Sequence, residues 1–160
     1  MERVFLTPLK LVPLEPVQGS ISHGVRFNLG GIVELVGYDL EDGVVEQGED
    51  LHLTLYWRAT EEVEGNYTVF THLIDSRGRL WAGWDSQPVE GWYPTPQWEV
   101  GEVVRDEYHI PVNDQAPAGS YQIEVGMYDP TTGERLPLLD RRGNVVDTKI
   151  LLPSNIQIGP

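Results

Sequence analysis

The chemistry this sequence offers most openly is aromatic. Trp81, Trp84, Trp92, Tyr93 and Trp98 fall in one stretch that holds four of the five tryptophans in the chain. An indole carried on a Gly/Pro-rich loop presents a flat apolar face of the kind that stacks on a sugar ring, and nearby amides or carboxylates bond the hydroxyls. Asp85, Gln87 and Gln97 are the polar residues within reach by spacing. The candidate ligand-binding set is therefore Trp81, Trp84, Asp85, Gln87, Trp92, Tyr93, Gln97 and Trp98, with a neutral carbohydrate as ligand. A bland reading stands beside it: an excursion this long needs a small core of its own, and Trp is the largest filler available. The two readings differ in whether Trp84, Trp92 and Trp98 are exposed.

Other chemistries find little support. There is no Gly-x-Ser-x-Gly elbow, no Gly-rich phosphate loop and no His-Glu-x-x-His helix, so no catalytic residue is assigned. The stretch Asp39-Leu40-Glu41-Asp42-Gly43 lacks the alternating ligand spacing of a calcium loop and reads as a solvated turn. His23, His52, His72 and His109 are scattered, with no close pair along one strand; His72 and Asp75 are expected to meet at a strand end in a structural hydrogen bond. Acidic pairs such as Asp85 with Glu90, or Glu99 with Glu102, resemble a glycosidase couple. Among 25 acidic side chains, such pairs arise by chance. No cofactor and no metal is implied. Asn66-Tyr67-Thr68 is a formal glycosylation acceptor.

Charge and composition narrow the partners. A formal net charge of −14 repels phosphate backbones and anionic lipid, which argues against nucleic-acid partners and membrane-surface binding. It also favours a neutral or cationic ligand over an anionic one. The absence of cysteine excludes disulfides, thiol nucleophiles and thiolate metal sites. The apolar runs are far shorter than the ~20 residues a membrane-spanning helix needs, so no direct membrane insertion by this segment is expected. The N-terminus does not read as a signal peptide, because Glu2 sits beside Arg3 and Pro8, Pro13 and Pro16 interrupt the apolar residues.

The elements that must position these residues alternate at period two. Leu51, Leu53, Leu55 and Trp57 share one parity, and His52, Thr54, Tyr56 and Arg58 the other, as in a strand with one face in a core. Tyr121, Ile123, Val125 and Met127 repeat the pattern. Val104, Asp106, Tyr108 and Ile110 do so less cleanly, since Asp106 breaks the apolar face. Tyr67 to Ile74 is apolar on both parities and is predicted to be covered on both sides. Ile32 to Leu40 and Val145 to Leu152 complete the strong candidates. Asp75-Ser76-Arg77-Gly78, Asp129-Pro130-Thr131-Thr132-Gly133 and Glu64-Gly65-Asn66 read as turns between strands. The 17 glycines and 12 prolines fit such short elements. The prediction is an all-β chain: residues 1–20 an extended N-terminal linker or edge strand, residues 21–160 one antiparallel β-sandwich, interrupted by a long loop from Asp85 to Val100.

Pro117-Ala118-Gly119-Ser120-Tyr121 leads straight into an alternating strand. A Tyr there, after a Pro/Gly turn, fits the tyrosine corner of immunoglobulin-like and fibronectin-like sandwiches. Trp57 is placed like the buried core Trp of such folds. A jelly roll is the neighbouring alternative. Leu53, Leu55, Trp57, Val69, Tyr121, Ile123 and Val125 are the predicted core.

A family resemblance adds to this reading. Leu53-Thr54-Leu55-Tyr56-Trp57-Arg58-Ala59, Tyr67-Thr68-Val69-Phe70-Thr71-His72-Leu73-Ile74-Asp75, Gly91-Trp92-Tyr93-Pro94-Thr95 with Trp98, Gly101-Glu102-Val103-Val104, and Gly126-Met127-Tyr128-Asp129-Pro130 with Gly133-Glu134-Arg135-Leu136-Pro137 resemble one group. It is the β-sandwich domains at the C-terminus of bacterial multi-pass membrane glycosyltransferases of the protein mannosyltransferase type. The resemblance spans about Ile32 to Leu139 and implies an immunoglobulin-like fold and an extracytoplasmic position on a larger membrane-attached protein. It brings no catalytic residues and no established activity. The expected role is a non-catalytic accessory domain with a structural or protein-contact function, its partner a neighbouring protein domain; the alternatives are a carbohydrate-binding module and, less well supported, a glycoside-processing enzyme.

Overall fold

The computed structural model describes residues 21–41 and 43–159. The predicted N-terminal linker or edge strand, residues 1–20, lies outside them. The described residues form eleven strands in order: β1 His23–Leu29, β2 Val33–Leu40, β3 Val44–Glu46, β4 Asp50–Ala59, β5 Thr68–Ile74, β6 Leu80–Ser86, β7 Val103–Pro111, β8 Gly119–Tyr128, β9 Leu138–Leu139, β10 Val145–Asp147 and β11 Ile150–Gly159. They form a six-stranded sheet ordered β10-β9-β1-β2-β4-β7 and a five-stranded sheet ordered β3-β11-β8-β5-β6. All pairs are antiparallel except the short β3–β11 pair.

Period-two alternation decides which side chains fill the space between the sheets. Leu51, Leu53, Leu55 and Trp57 of β4 face Val69 and Leu73 of β5 and Tyr121, Ile123, Val125 and Met127 of β8 in one core. The seven residues predicted for that core are all buried. Among the crossings between sheets are those from β4 to β5, from β6 to β7 and from β7 to β8. The second and fifth strands of an immunoglobulin-like sandwich correspond to β4 and β7, and its third, sixth and seventh to β5, β8 and β11. The Tyr121 hydroxyl donates to the carbonyl of Pro117 at 2.5 Å, which is the tyrosine corner at the β7–β8 crossing. The chain is an all-β, immunoglobulin-like sandwich.

Some expectations need correction. Val145 to Leu152 is not one strand: β10 belongs to one sheet and β11 to the other. β11 also continues past Pro153 to Gly159 by shifting register between Leu151 and Asn155; proline cannot donate to the ladder, so an irregularity there accommodates it. Glu64-Gly65-Asn66 lies in a crossing between sheets rather than a hairpin. Trp57 sits on β4, not on the strand equivalent to β5 where immunoglobulin domains carry their core Trp. The doubly apolar β5 is inside its sheet, and its outward Phe70 is buried beneath the Arg135 guanidinium, 4.1 Å from the ring centroid.

Candidate functional site

The aromatic stretch divides between a strand and a packed connection. β6 extends to Ser86, so Trp81, Trp84 and Asp85 are strand residues and the connection runs from residue 87 to 102. It contains two short 3₁₀ turns, Pro88–Gly91 and Thr95–Gln97. Tyr93 is 0% and Trp98 4% exposed, and both join the main core. The Trp98 indole N–H donates to the Tyr93 carbonyl at 2.8 Å, and the Tyr93 hydroxyl to Glu102 Oε1 at 2.6 Å. Burial, then the Glu102 carboxylate, pushes the Tyr93 hydroxyl pKa up. The buried Thr95 hydroxyl donates to Gly65 O at 2.6 Å and accepts the Tyr67 N–H at 3.1 Å, tying the connection to the β4–β5 crossing. The connection is a plug in the sandwich, not a free loop.

Asp106 anchors this plug. It is fully buried on the inner face of β7. Its Oδ2 accepts the Trp57 indole N–H at 3.2 Å and the Tyr108 hydroxyl at 2.7 Å, and its Oδ1 accepts the backbone N–H of Val89 at 2.8 Å. Desolvation pushes its pKa up to about 7 against the pull of these three donors, with the Glu90 charge adding to the rise. The residue that interrupts the apolar parity is thus a buried three-donor acceptor. Val89 and Glu90 adopt positive φ of 56° and 54°, and for a β-branched Val that conformation is strained.

The eight candidate residues do not form one surface. Trp92, at 66%, and Trp84, at 52%, are exposed, and the Pro88–Gly91 turn packs beside β6. Neighbouring side chains on a strand point to opposite faces, so Asp85 turns away from Trp84 and accepts the Tyr128 hydroxyl at 2.8 Å. Trp81 is half-buried with its indole N–H bonded to Asp75 Oδ2 at 3.0 Å. Gln97 is exposed and Gln87 half-buried. Burial of Tyr93 and Trp98 in the core corrects the expectation that they present faces to a ligand.

The other sequence candidates are also placed. His72 does not meet Asp75; its Nδ1 lies 3.4 Å from Glu124 Oε1, while Asp75 caps its own turn through the N–H groups of Arg77 and Arg79. Glu102 Oε1 accepts the Glu99 N–H at 3.0 Å, so that acidic pair is part of a turn. Asp39 accepts the Tyr56 hydroxyl at 2.6 Å; Asp42, from the same stretch, lies outside the described residues. Asn66 is exposed in the β4–β5 crossing. One arrangement of side chains is not legible in the sequence. β4 and β7 pair so that His52 stands directly opposite His109, their ring centroids 4.3 Å apart. Only the strand register brings them together. Among the described residues, no group of three or more His, Cys, Asp or Glu side chains is arranged to hold a metal ion, and no helix is long and apolar enough to cross a membrane.

No family model and no curated protein matches the chain. Among solved structures it is similar to the CARDB domain of a Pyrococcus furiosus protein in complex with di-metal ions, at 11% identity and a TM-score of 0.44 over 91% of this chain and 99% of that one. It is also similar to part of a Listeria innocua β-glucosidase in complex with laminaribiose, at 12% identity and a TM-score of 0.42, over 79% of this chain and 16% of that one. A Pseudomonas fluorescens alkylpurine DNA glycosylase bound to DNA gives 14% identity and a TM-score of 0.38, over 79% of this chain and 30% of that one. The chain spans only a minor part of these last two proteins.

Proposed function

We propose that this chain is a non-catalytic accessory domain of a larger extracytoplasmic protein, serving as a structural or protein-contact unit. The division of the aromatics carries this reading. Tyr93 and Trp98 fill the core and brace the connection, while Trp84 and Trp92 stay exposed beside a strand that ends its sheet. Large aromatics on a surface are enriched where proteins meet. The resemblance to the C-terminal domains of multi-pass membrane glycosyltransferases supports the same role, with the membrane segments belonging to other parts of the parent. Chromogenic glycosides and esters test the non-catalytic half: turnover abolished by one carboxylate or His substitution overturns it.

A second reading, a carbohydrate-binding module, is favoured by the same exposed pair. Its ligand is a neutral sugar stacked on Trp84 or Trp92, bound weakly because a few stacked rings must offset the entropy of association. Calorimetry against neutral oligosaccharides, with Trp92→Ala as control, separates the two. Saturable sugar binding lost in that variant selects the module; none selects the contact domain.

A further inference from the structure

We propose that His52 and His109 together form a binding site for one divalent transition-metal ion of the zinc, copper or nickel class. Both residues lie on the outward parity of their strands and are exposed, and the β4–β7 register sets them face to face. With ring centroids 4.3 Å apart, an ion bound to one imidazole at ~2.1 Å is within reach of the other. A register shift of one residue would turn one of them into the core.

The surroundings complete the argument. His52 Nδ1 lies 3.0 Å from Glu41 Oε1. A carboxylate held against Nδ1 leaves Nε2 as the ring nitrogen open to a metal, the carboxylate–histidine arrangement that orients ligating imidazoles. The pair borders a hollow of about 370 Å³ that also takes in Glu41, Asp39, Glu107 and Arg105. Arg105 is ion-paired with Glu107, so the hollow remains negative, on a chain already at −14, and the field favours a cation. Imidazole selects the borderline transition metals over calcium and magnesium, which take oxygen donors. Two imidazoles are the whole protein contribution. Solvent fills the remaining positions, and the site is open rather than a closed structural centre.

Zinc titration of the full chain near neutral pH, followed by calorimetry and by the imidazole proton signals in NMR, tests this. One zinc ion per chain is expected, with the His52 and His109 signals shifting together. His52→Gln and His109→Gln should each weaken binding at least tenfold, and Glu41→Gln by about tenfold or more, without changing the melting temperature in the absence of metal. No uptake at millimolar zinc, uptake unaffected by His109→Gln, or equal competition by calcium would overturn the proposal. The NMR readout requires no variant, so a misfolded substitution cannot mask the result.

Discussion

Asp106 on β7 holds Val89, in the connection that follows β6, by accepting its backbone N–H at 2.8 Å. Val89 and Glu90 are the two non-glycine residues of positive φ among the described residues, a conformation that costs on the order of 1–3 kcal/mol per residue. The same carboxylate binds Trp57 and Tyr108. One buried side chain therefore ties β4 and β7 of the six-stranded sheet to the turn that leads into Trp92, and Trp92 is held out to solvent by a braced segment.

Replacing that acceptor tests the brace. Asp106→Ala leaves three donors without a partner, two of them buried, at about 1–3 kcal/mol for each buried one, and should lower unfolding free energy in urea by about 3 kcal/mol or more. Asp106→Asn keeps an oxygen for Val89 but turns an amide toward the Trp57 N–H, so its loss should be smaller. Equal stability of Asp106→Ala and wild type would mean that the hydrogen bonds do not hold the connection.

The same carboxyl gives a signed pH dependence. Its ordinary value is 3.8 and burial raises it to about 7, so between these pH values the folded state holds a proton that the unfolded state has released. Stability from this group is complete below pH ~4 and falls as pH rises toward ~7, by about 1.4 kcal/mol per pH unit. Tyr108 faces the carboxyl directly and Glu90 acts on it through its charge; the Tyr108 hydroxyl, raised by burial and then by Asp106, stays neutral throughout. Urea unfolding at several pH values should show this slope as a wild-type minus Asp106→Asn difference; parallel curves would contradict it.

Much of the fold is legible in the sequence because period two reports which face of a strand is apolar. Leu51 to Trp57 and Tyr121 to Met127 declare their inner faces outright, and Pro117 to Tyr121 marks the corner. What period two does not report is which strand lies alongside. The His52–His109 contact depends on the β4–β7 register, and the division of Val145 to Leu152 depends on a crossing between sheets. Asp106 is visible only as a flaw in an apolar face, since its donors come from β4, from β7 and from the connection. The brief β3 and β9 escape the pattern because two or three residues carry no period. β1 alternates too, through Val25, Phe27 and Leu29, over a strand whose register shifts between Gly24 and Phe27.

The tyrosine corner has a measurable worth. The Tyr121 ring is buried on the inner face of β8 and its hydroxyl reaches the carbonyl of Pro117. Tyr121→Phe keeps the ring and removes only that bond. Loss of one hydrogen bond of this kind should cost about 1 kcal/mol, read from the urea midpoint at unchanged slope. A cost of zero would show that the bond reports the crossing without stabilising it.

Close packing on the outer face of β8 gives a steric test. A Cβ built on Gly126 would lie 2.5 Å from Cζ and 2.6 Å from Cε2 of Phe70. Phe70 is buried under Arg135 and has little freedom to withdraw. Gly126→Ala should therefore destabilise by about 1–3 kcal/mol, whereas Gly133→Ala, in a turn with open space around it, acts only through its φ of 79°. Relief of the Gly126→Ala penalty by a second change, Phe70→Leu, would attribute it to this contact.

The last prediction bears on function. Of the five tryptophans, Trp57 and Trp98 are buried and Trp81 is half-buried, while Trp84 and Trp92 are exposed. Acrylamide, a neutral quencher, is the right probe, because iodide would be repelled by a chain of charge −14 and would under-report exposure. Two classes of emission are expected: a quenchable fraction removed by Trp84→Phe with Trp92→Phe, and a shielded fraction that remains until the protein unfolds. Neither substitution touches the core, so the melting temperature should hold. If a partner domain or a sugar covers this surface, its addition must protect the quenchable class and leave the shielded class unchanged. Binding of the partner or sugar that leaves the quenchable class fully quenched would place the contact elsewhere on the sandwich.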